Sequence, residues 1–370
     1  MSPRFEIVRS GPGGARLGRL TTAHGVVETP AFMPVATHGA VKGVAPRQLR
    51  ELGATIVLAN AYHLAQRPGV ETVRALDGLH ALMGWDGPIL TDSGGFQVMS
   101  LGDLVRVDDA GVYYRSHVDG HAGVLSPEEA VRVQEALGAD VAMVLDECLP
   151  AGMPRERVAR AVARTTAWAA RGVAARTRPA TALFAIVQGG VDGELRAESA
   201  AALAALGFDG HAVGGLSVGE PPDETARVAA ATAALLPAAK PRYLMGVGTP
   251  SDLLRFAAMG YDLFDCVLPT RNGRNGTLFT RQGKLMIRNA THARDPRPVE
   301  EGCACYACTH FSRGALRHLV LAREMLGAQL ATLHNLHFYL HLMREIRAAL
   351  AEGTFPARAA RAGGAWASGA

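Results

Sequence analysis

The chain reads as an α/β protein: a (β/α)8 TIM barrel with an inserted C-terminal zinc-binding subdomain. Three observations predict this. Eight short apolar runs recur through the first three quarters of the 370 residues. Helical patterns lie between several of them. Beyond the eighth run comes Cys303-Ala-Cys305-Tyr-Ala-Cys308, followed by a histidine-rich helical segment at His334, His337 and His341. Near-continuous rather than alternating apolar runs suit strands buried on both faces of a parallel sheet. Strand–helix alternation makes the sheet parallel. Eight units in about 270 residues fit a closed barrel better than a doubly wound sheet. No G-x-G-x-x-G follows the first run, which weakens a dinucleotide-binding reading.

In order, the runs are Pro30–Ala36, Thr55–Ala59, Pro88–Thr91, Asp140–Leu145, Leu183–Val187, His211–Leu216, Arg242–Val247 and Asp262–Val267. Ser126-Pro127-Glu128-Glu129 is a capping box with proline at the first helical position, and it opens an amphipathic helix to Leu137. Helices are also predicted over Pro154–Arg176, Glu194–Leu206, Asp223–Leu236 and Pro250–Met259, several closing at glycine. Between Leu101 and Val124, β-rich flanks surround a turn at Asp109-Ala110-Gly111, so a hairpin insertion is expected near 102–124. Residues 1–288 are assigned to the barrel and 289–352 to the zinc-binding subdomain and closing helices. The Ala/Gly/Arg-rich stretch 353–370 is expected to be a frayed tail.

Composition narrows the class. Apolar residues make up 48% and charged residues 19%, as in a globular protein with a large core. No run of about 18 apolar residues appears, so no membrane span is expected. The first nine residues lack a signal-peptide h-region. Three of the five cysteines lie in one cluster, and Cys148 and Cys266 stand alone. That is metal plus free thiol rather than a disulfide framework, and it points to a reducing cytoplasm. The net charge of +4 is too mild to imply a polyanionic partner by itself.

In a parallel barrel, chemistry sits at the C-terminal ends of the strands. Those ends are Asn60, Asp92-Ser93, Asp146, Gln188-Gly189-Gly190, Gly215, Met245-Gly246 and Asp265. A lone Asp after a strand is commonly a helix cap. Five polar ends after apolar runs are hard to credit to capping. Acceptors at Asp146, an amide at Gln188 and close-approach glycines suit a guanine edge, with Phe96 and Met245 available to cover its faces. The bland alternative for Phe96 and Met245 is core packing. Asp265 leads into a Gly/Asn loop carrying Arg271 and Arg274, a pattern suited to phosphates and base edges. The competing reading there is a solvated hairpin turning at Asn275-Gly276. Three thiols at C-x-C-x-x-C spacing plus one imidazole fill a tetrahedral zinc site and leave no open position, which makes it structural. His310 lies too close in sequence to wrap round easily. His334, on the far helix, would pin helix to loop.

At this point the residues resemble a known family, the bacterial tRNA-guanine transglycosylases. The matching blocks are TDSGGFQVMSL (Thr91–Leu101), VAMVLDEC (Val141–Cys148), VQGG (Val187–Gly190), AVGGLSVGE (Ala212–Glu220), YLMGVGTP (Tyr243–Pro250), FDCVLPTRNGRNG (Phe264–Gly276), the cysteine cluster, and LHNLHFY (Leu333–Tyr339). They span nearly the whole chain. The resemblance implies exchange of the wobble guanine in G-U-N anticodons of the tRNAs for Asp, Asn, His and Tyr. The incoming base would be a 7-deazaguanine on the route to queuosine. It implies Asp265 as nucleophile and Asp92 as general acid/base. It implies a base pocket of Asp92, Ser93, Gly94, Gly95, Phe96, Asp146, Gln188, Gly215, Leu216 and Met245. RNA-contacting segments would be Gly246, Val247, Gly248, Thr249, Pro250, Ser251 and Asp252, with Thr270, Arg271, Asn272, Gly273 and Arg274. Cys303, Cys305, Cys308 and His334 would hold one zinc ion per chain. Val218 and Cys148 match the bacterial pattern that accepts the aminomethyl precursor, and a homodimer is implied. The archaeal type carries a further C-terminal RNA-binding domain, which is not expected here.

Breaking a ribose–guanine bond passes through an oxocarbenium-like state that a carboxylate can trap, as retaining glycosidases do. Asp92 then needs a raised proton affinity, from desolvation or a neighbouring carboxylate, and Asp146 is the expected neighbour. Two other classes make different demands on the sequence. A non-catalytic tRNA-binding subunit predicts loss of Asp92 and Asp265, yet both stand in full motifs. A metal-dependent barrel hydrolase needs histidines at strand ends, where only His63, just past Asn60, is found.

Overall fold

In the computed structural model, residues 3–100, 105–116 and 120–355 are described. Most of the expected frayed tail, 356–370, and parts of the 102–124 insertion lie outside them.

The parallel sheet holds nine segments that amount to eight barrel strands. The first run is interrupted at Pro34, which lacks an N–H to give to a ladder. Its first half, Ala31–Met33, pairs with Leu263–Asp265, and its second half, Val35–Ala36, pairs with Val57–Asn60. One broken strand therefore joins the two ends of the sheet and closes the barrel. The remaining strands are Ile89–Asp92, Val141–Met143, Ala182–Val187, Gly210–Val213 and Arg242–Leu244, in the expected order. Phe32, Met33, Phe184, Ile186 and Phe264 are fully buried, as two-sided burial requires.

The predicted helices form at Pro127–Leu137, Arg155–Ala175, Gly193–Ala204, Pro222–Leu235 and Pro250–Ala258. Ser126 caps the first through Glu129 N–H at 3.1 Å. Two features were not anticipated. A three-stranded antiparallel sheet, Arg4–Ser10, Arg16–Thr22 and Gly25–Thr29, precedes the barrel. The inserted hairpin, Val105–Asp108 with Gly111–Arg115, gains a third strand, Ala122–Leu125.

One expectation fails outright. Residues 268–275 are not a Gly/Asn loop but a helix, Leu268–Asn275. Proline early in its first turn suits helix initiation, and Gly276, at φ 86°, closes it in the left-handed region. Asn275-Gly276 is thus a helix stop, and the hairpin that follows, Thr277–Thr280 with Gly283–Met286, turns at Arg281-Gln282.

The helix Met325–Glu352 is shared between two cores. Leu333, Leu336, Tyr339, Met343 and Ile346 pack on the barrel, while Leu330 and Ala331 join Leu278, Ile287, Val299, Cys305 and Leu316. Among the described residues no helix is long and apolar enough to cross a membrane.

Candidate active site

Asp92 and Asp265 end two strands of the barrel and are half-buried at its mouth. Asn60, opposite Asp92 in the ladder, donates to Asp92 Oδ2 at 2.6 Å. Gln97 donates to the same oxygen at 2.9 Å, and Ala61 N–H to Oδ1 at 3.0 Å. Desolvation nevertheless dominates, and the Asp265 charge adds to it, so the Asp92 carboxyl is pushed up to about 7. The contributing carboxylate is Asp265, where the sequence pointed to Asp146. Asp146 is instead turned to Gln188, whose amide donates to it at 2.6 Å. Burial pushes Asp146 up to about 6, against that hydrogen bond and with the Glu147 charge.

Asp265 Oδ1 accepts from the Tyr243 hydroxyl at 2.6 Å and from Gly246 N–H at 2.8 Å. Burial raises its proton affinity, and these two donors oppose that by stabilising the carboxylate. Tyr243 lies on the neighbouring strand and is fully buried, so its role is to hold Asp265 in place. Sequence reasoning passed over it because the contact spans two strands.

The remaining pocket residues gather round the same mouth. Ser93, Gly94 and Gly95 are buried, Ser93 Oγ accepts from Gly95 N–H at 3.3 Å, and Phe96 stands 57% exposed on the short helix that follows. Core packing is thereby excluded for Phe96. Met245 is half-buried against the core and Leu216 is buried. Gly215 has φ 63°, and a β-carbon there would run into Gln188 Oε1. Glu220 accepts from Ser217 N–H, at 2.5 Å, and from Val218 N–H, at 3.0 Å, which fixes the turn beyond Leu216. A cavity of about 610 Å³ opens beside Gln188, Gly215 and Val218.

Arg196, also missed, lies buried beneath this floor. Its guanidinium donates to the carbonyls of Gly190, Val187, Gly214 and Gly215 at 2.7–3.3 Å. It ties two strand-end loops together through carbonyls alone. Only their flanking glycines hinted at such a contact.

The segments expected to face RNA are mixed. Gly246 and Arg271 are exposed, and Ser251, Asp252, Asn272 and Arg274 are half-buried. Arg274 Nη1 has no hydrogen-bond partner among the described residues. Val247, Gly248, Pro250, Thr270 and Gly273 are buried and turned into the protein. Thr249 and Asp252 are engaged in a capping box.

Cys303, Cys305, Cys308 and His334 converge, with their ligand atoms within 4.8 Å of one another. The thiol sulfurs lie 3.9, 3.5 and 3.3 Å from His334 Nδ1. The other ring nitrogen faces the Phe279 carbonyl at 2.8 Å, which orients Nδ1 towards the sulfurs. This group can hold a metal ion. His310 instead bonds Thr309 and the Tyr306 carbonyl.

With this geometry in hand, comparison with known proteins decides the family. The queuine tRNA-ribosyltransferase family profile matches residues 11–366. The chain belongs to the queuine tRNA-ribosyltransferase family. Relatives of that name include one from Nitrosomonas europaea, 54% identical over 341 residues, 92% of each chain. One from Desulforudis audaxviator is 55% identical over 342 residues, again 92% of each. One from Aromatoleum aromaticum is 52% identical over 360 residues, 97% of each. Membership in the queuine tRNA-ribosyltransferase family makes the chain a transferase of the pentosyl class.

Proposed function

We propose that this chain exchanges the wobble guanine of G-U-N anticodons, in tRNAs for Asp, Asn, His and Tyr, for 7-aminomethyl-7-deazaguanine. Asp265 attacks the ribose C1′, and the C1′–N9 bond of guanine breaks as Asp92 protonates the leaving base. The incoming base returns that proton to Asp92, its nitrogen attacks C1′, and the Asp265 ester breaks. One N-glycoside replaces another, so no external energy source is needed. The observation that carries the reading is electrostatic. Asp92 holds its proton near neutrality, in part because the Asp265 charge faces it, and a group poised there both gives and takes protons.

Asp146, Gln188 and the Gly215 backbone read the base edge in this scheme, and the exposed Phe96 and half-buried Met245 cover its faces. Asp92, Ser93, Gly94, Gly95 and Leu216 complete the pocket. Extruding a base from an anticodon loop costs less than from a duplex. Arg271 and Arg274 would meet flanking phosphates, and Gly246 with its neighbours would approach through backbone. Binding should therefore weaken with salt.

The metal is assigned as structural zinc on Cys303, Cys305, Cys308 and His334. The donor set and spacing suit that ion, and four protein ligands fill a tetrahedron. Bound there, it would hold the module of residues 289–352 against the barrel of residues 1–288. A homodimer acting in the cytoplasm completes the proposal.

The test is incubation with labelled guanine and a tRNA bearing G-U-N. Label is expected at the wobble position with wild type, and none with Asp265→Ala, whose circular dichroism should match wild type. Normal incorporation by that variant removes Asp265 as nucleophile.

A further inference from the structure

We propose that His24, His80 and Asp140 form a second metal site, on the barrel floor away from Asp92 and Asp265, that takes a divalent ion of the zinc, cobalt or nickel class. Asp140 immediately precedes the strand Val141–Met143, so it lies at the N-terminal end of the barrel. His24 occupies the turn between Arg16–Thr22 and Gly25–Thr29, and His80 lies on the helix Gly78–Met83. Three segments far apart in sequence thus meet at one carboxylate.

The geometry is close to that of a coordination sphere. His24 Nδ1 is 2.8 Å from Asp140 Oδ1, and His80 Nε2 is 3.1 Å from Oδ2. The two rings stack at 3.6 Å with planes 23° apart, and each faces one oxygen of the same carboxylate. All three ligand atoms lie within 4.8 Å of one another. Bonds of about 2.0–2.2 Å in a tetrahedron set ligands roughly 3.4 Å apart. The two nitrogen–oxygen distances, 2.8 and 3.1 Å, lie just inside that spacing, so an ion would have to part each ring from the carboxylate. Ligation needs the facing nitrogen of each ring to be free of its proton, and the ion would replace the two histidine–carboxylate hydrogen bonds.

The ligands are also chemically ready. The Asp140 carboxylate is buried, and besides the two rings it accepts from Ile89 N–H at 2.9 Å, which fixes its orientation. Two imidazoles with one charged carboxylate suit first-row divalent ions. Access is open: His24 and His80 line a cavity of about 820 Å³, and the His24 side chain is 41% exposed. Three protein ligands leave a tetrahedral position for water from that cavity. The contrast with the cysteine group is clear, since its four protein ligands fill the sphere and His334 is fully buried. A filled floor site would staple the N-terminal sheet to the barrel.

The experiment uses the full, untagged chain with its cysteine site loaded with zinc. Titration with Ni²⁺ by calorimetry should show one further equivalent, and Cu²⁺ should give an electron paramagnetic resonance spectrum with coupling to two nitrogens. Ni²⁺ should raise the Tm of wild type. His24→Gln, at an exposed turn, and His80→Gln should each weaken the added equivalent by more than about tenfold and abolish the Tm rise. Zinc retained at the cysteine group, measured by mass spectrometry, serves as the folding control. No added equivalent, or one unaltered in both folded variants, overturns the site and leaves a plain His–Asp–His hydrogen-bond clasp.

Discussion

Replacing Asp92 by asparagine should make the protein more stable at pH 8 while ending guanine exchange. Desolvation, with the Asp265 charge, lifts the Asp92 carboxyl from an ordinary 3.8 to about 7. At about 1.4 kcal/mol per pH unit, that difference is on the order of 4 kcal/mol of cost for ionising Asp92 in the folded state. The sign follows from linkage. The folded carboxyl holds its proton more tightly than the unfolded one, so its favourable contribution is complete below about pH 4 and is lost as pH rises through about 7. An asparagine amide has no such proton to lose. The stability of Asp92→Asn relative to wild type should therefore climb between pH 5 and 7 and level off above it. Urea unfolding of both proteins at pH 5, 6, 7 and 8 measures this, and taking the difference cancels titrations common to both, including those at the cysteine group. A difference that stays flat across the range refutes the raised proton affinity, and with it the physical basis for Asp92 as the proton shuttle.

Tyr243→Phe removes the 2.6 Å donor to Asp265. A hydrogen bond to a charged group is worth about 1.5–3 kcal/mol, so exchange should slow by roughly 10- to 100-fold and the acid limb of the pH–rate profile should move to higher pH; an unshifted limb argues against Tyr243 as the support of the nucleophile. Gly215→Ala forces a β-carbon against Gln188 at a left-handed φ, so KM for guanine should rise more than kcat falls, and an unchanged KM would separate Gln188 from base recognition. Cys305→Ser should lower bound zinc, measured by mass spectrometry, together with solubility, and full metal occupancy counts against the ligand set.

Much of the architecture could be read from local pattern. The eight apolar runs located the barrel strands because two-sided burial leaves a continuous apolar signature. Asp92 and Asp265 were legible because each follows such a run directly, and strand ends have one functional face in this fold. The helix Leu268–Asn275 was misread because Asn275-Gly276 serves equally as a hairpin turn or a helix stop, and only the packing of Gly273 on Thr332 of the long helix selects the second.

What the amino-acid order determined by itself was the rhythm of strands and helices, the carboxylates at their ends, and the thiol spacing, since each is set by neighbours along the chain. What only the tertiary structure decided was which groups sense one another: Asp265 rather than Asp146 acting on Asp92, Tyr243 holding Asp265, Arg196 clasping two loops, and His24 meeting His80 at Asp140. Those pairings join residues far apart in sequence. Their electrostatics depend on distance and desolvation, which exist only once the barrel has closed.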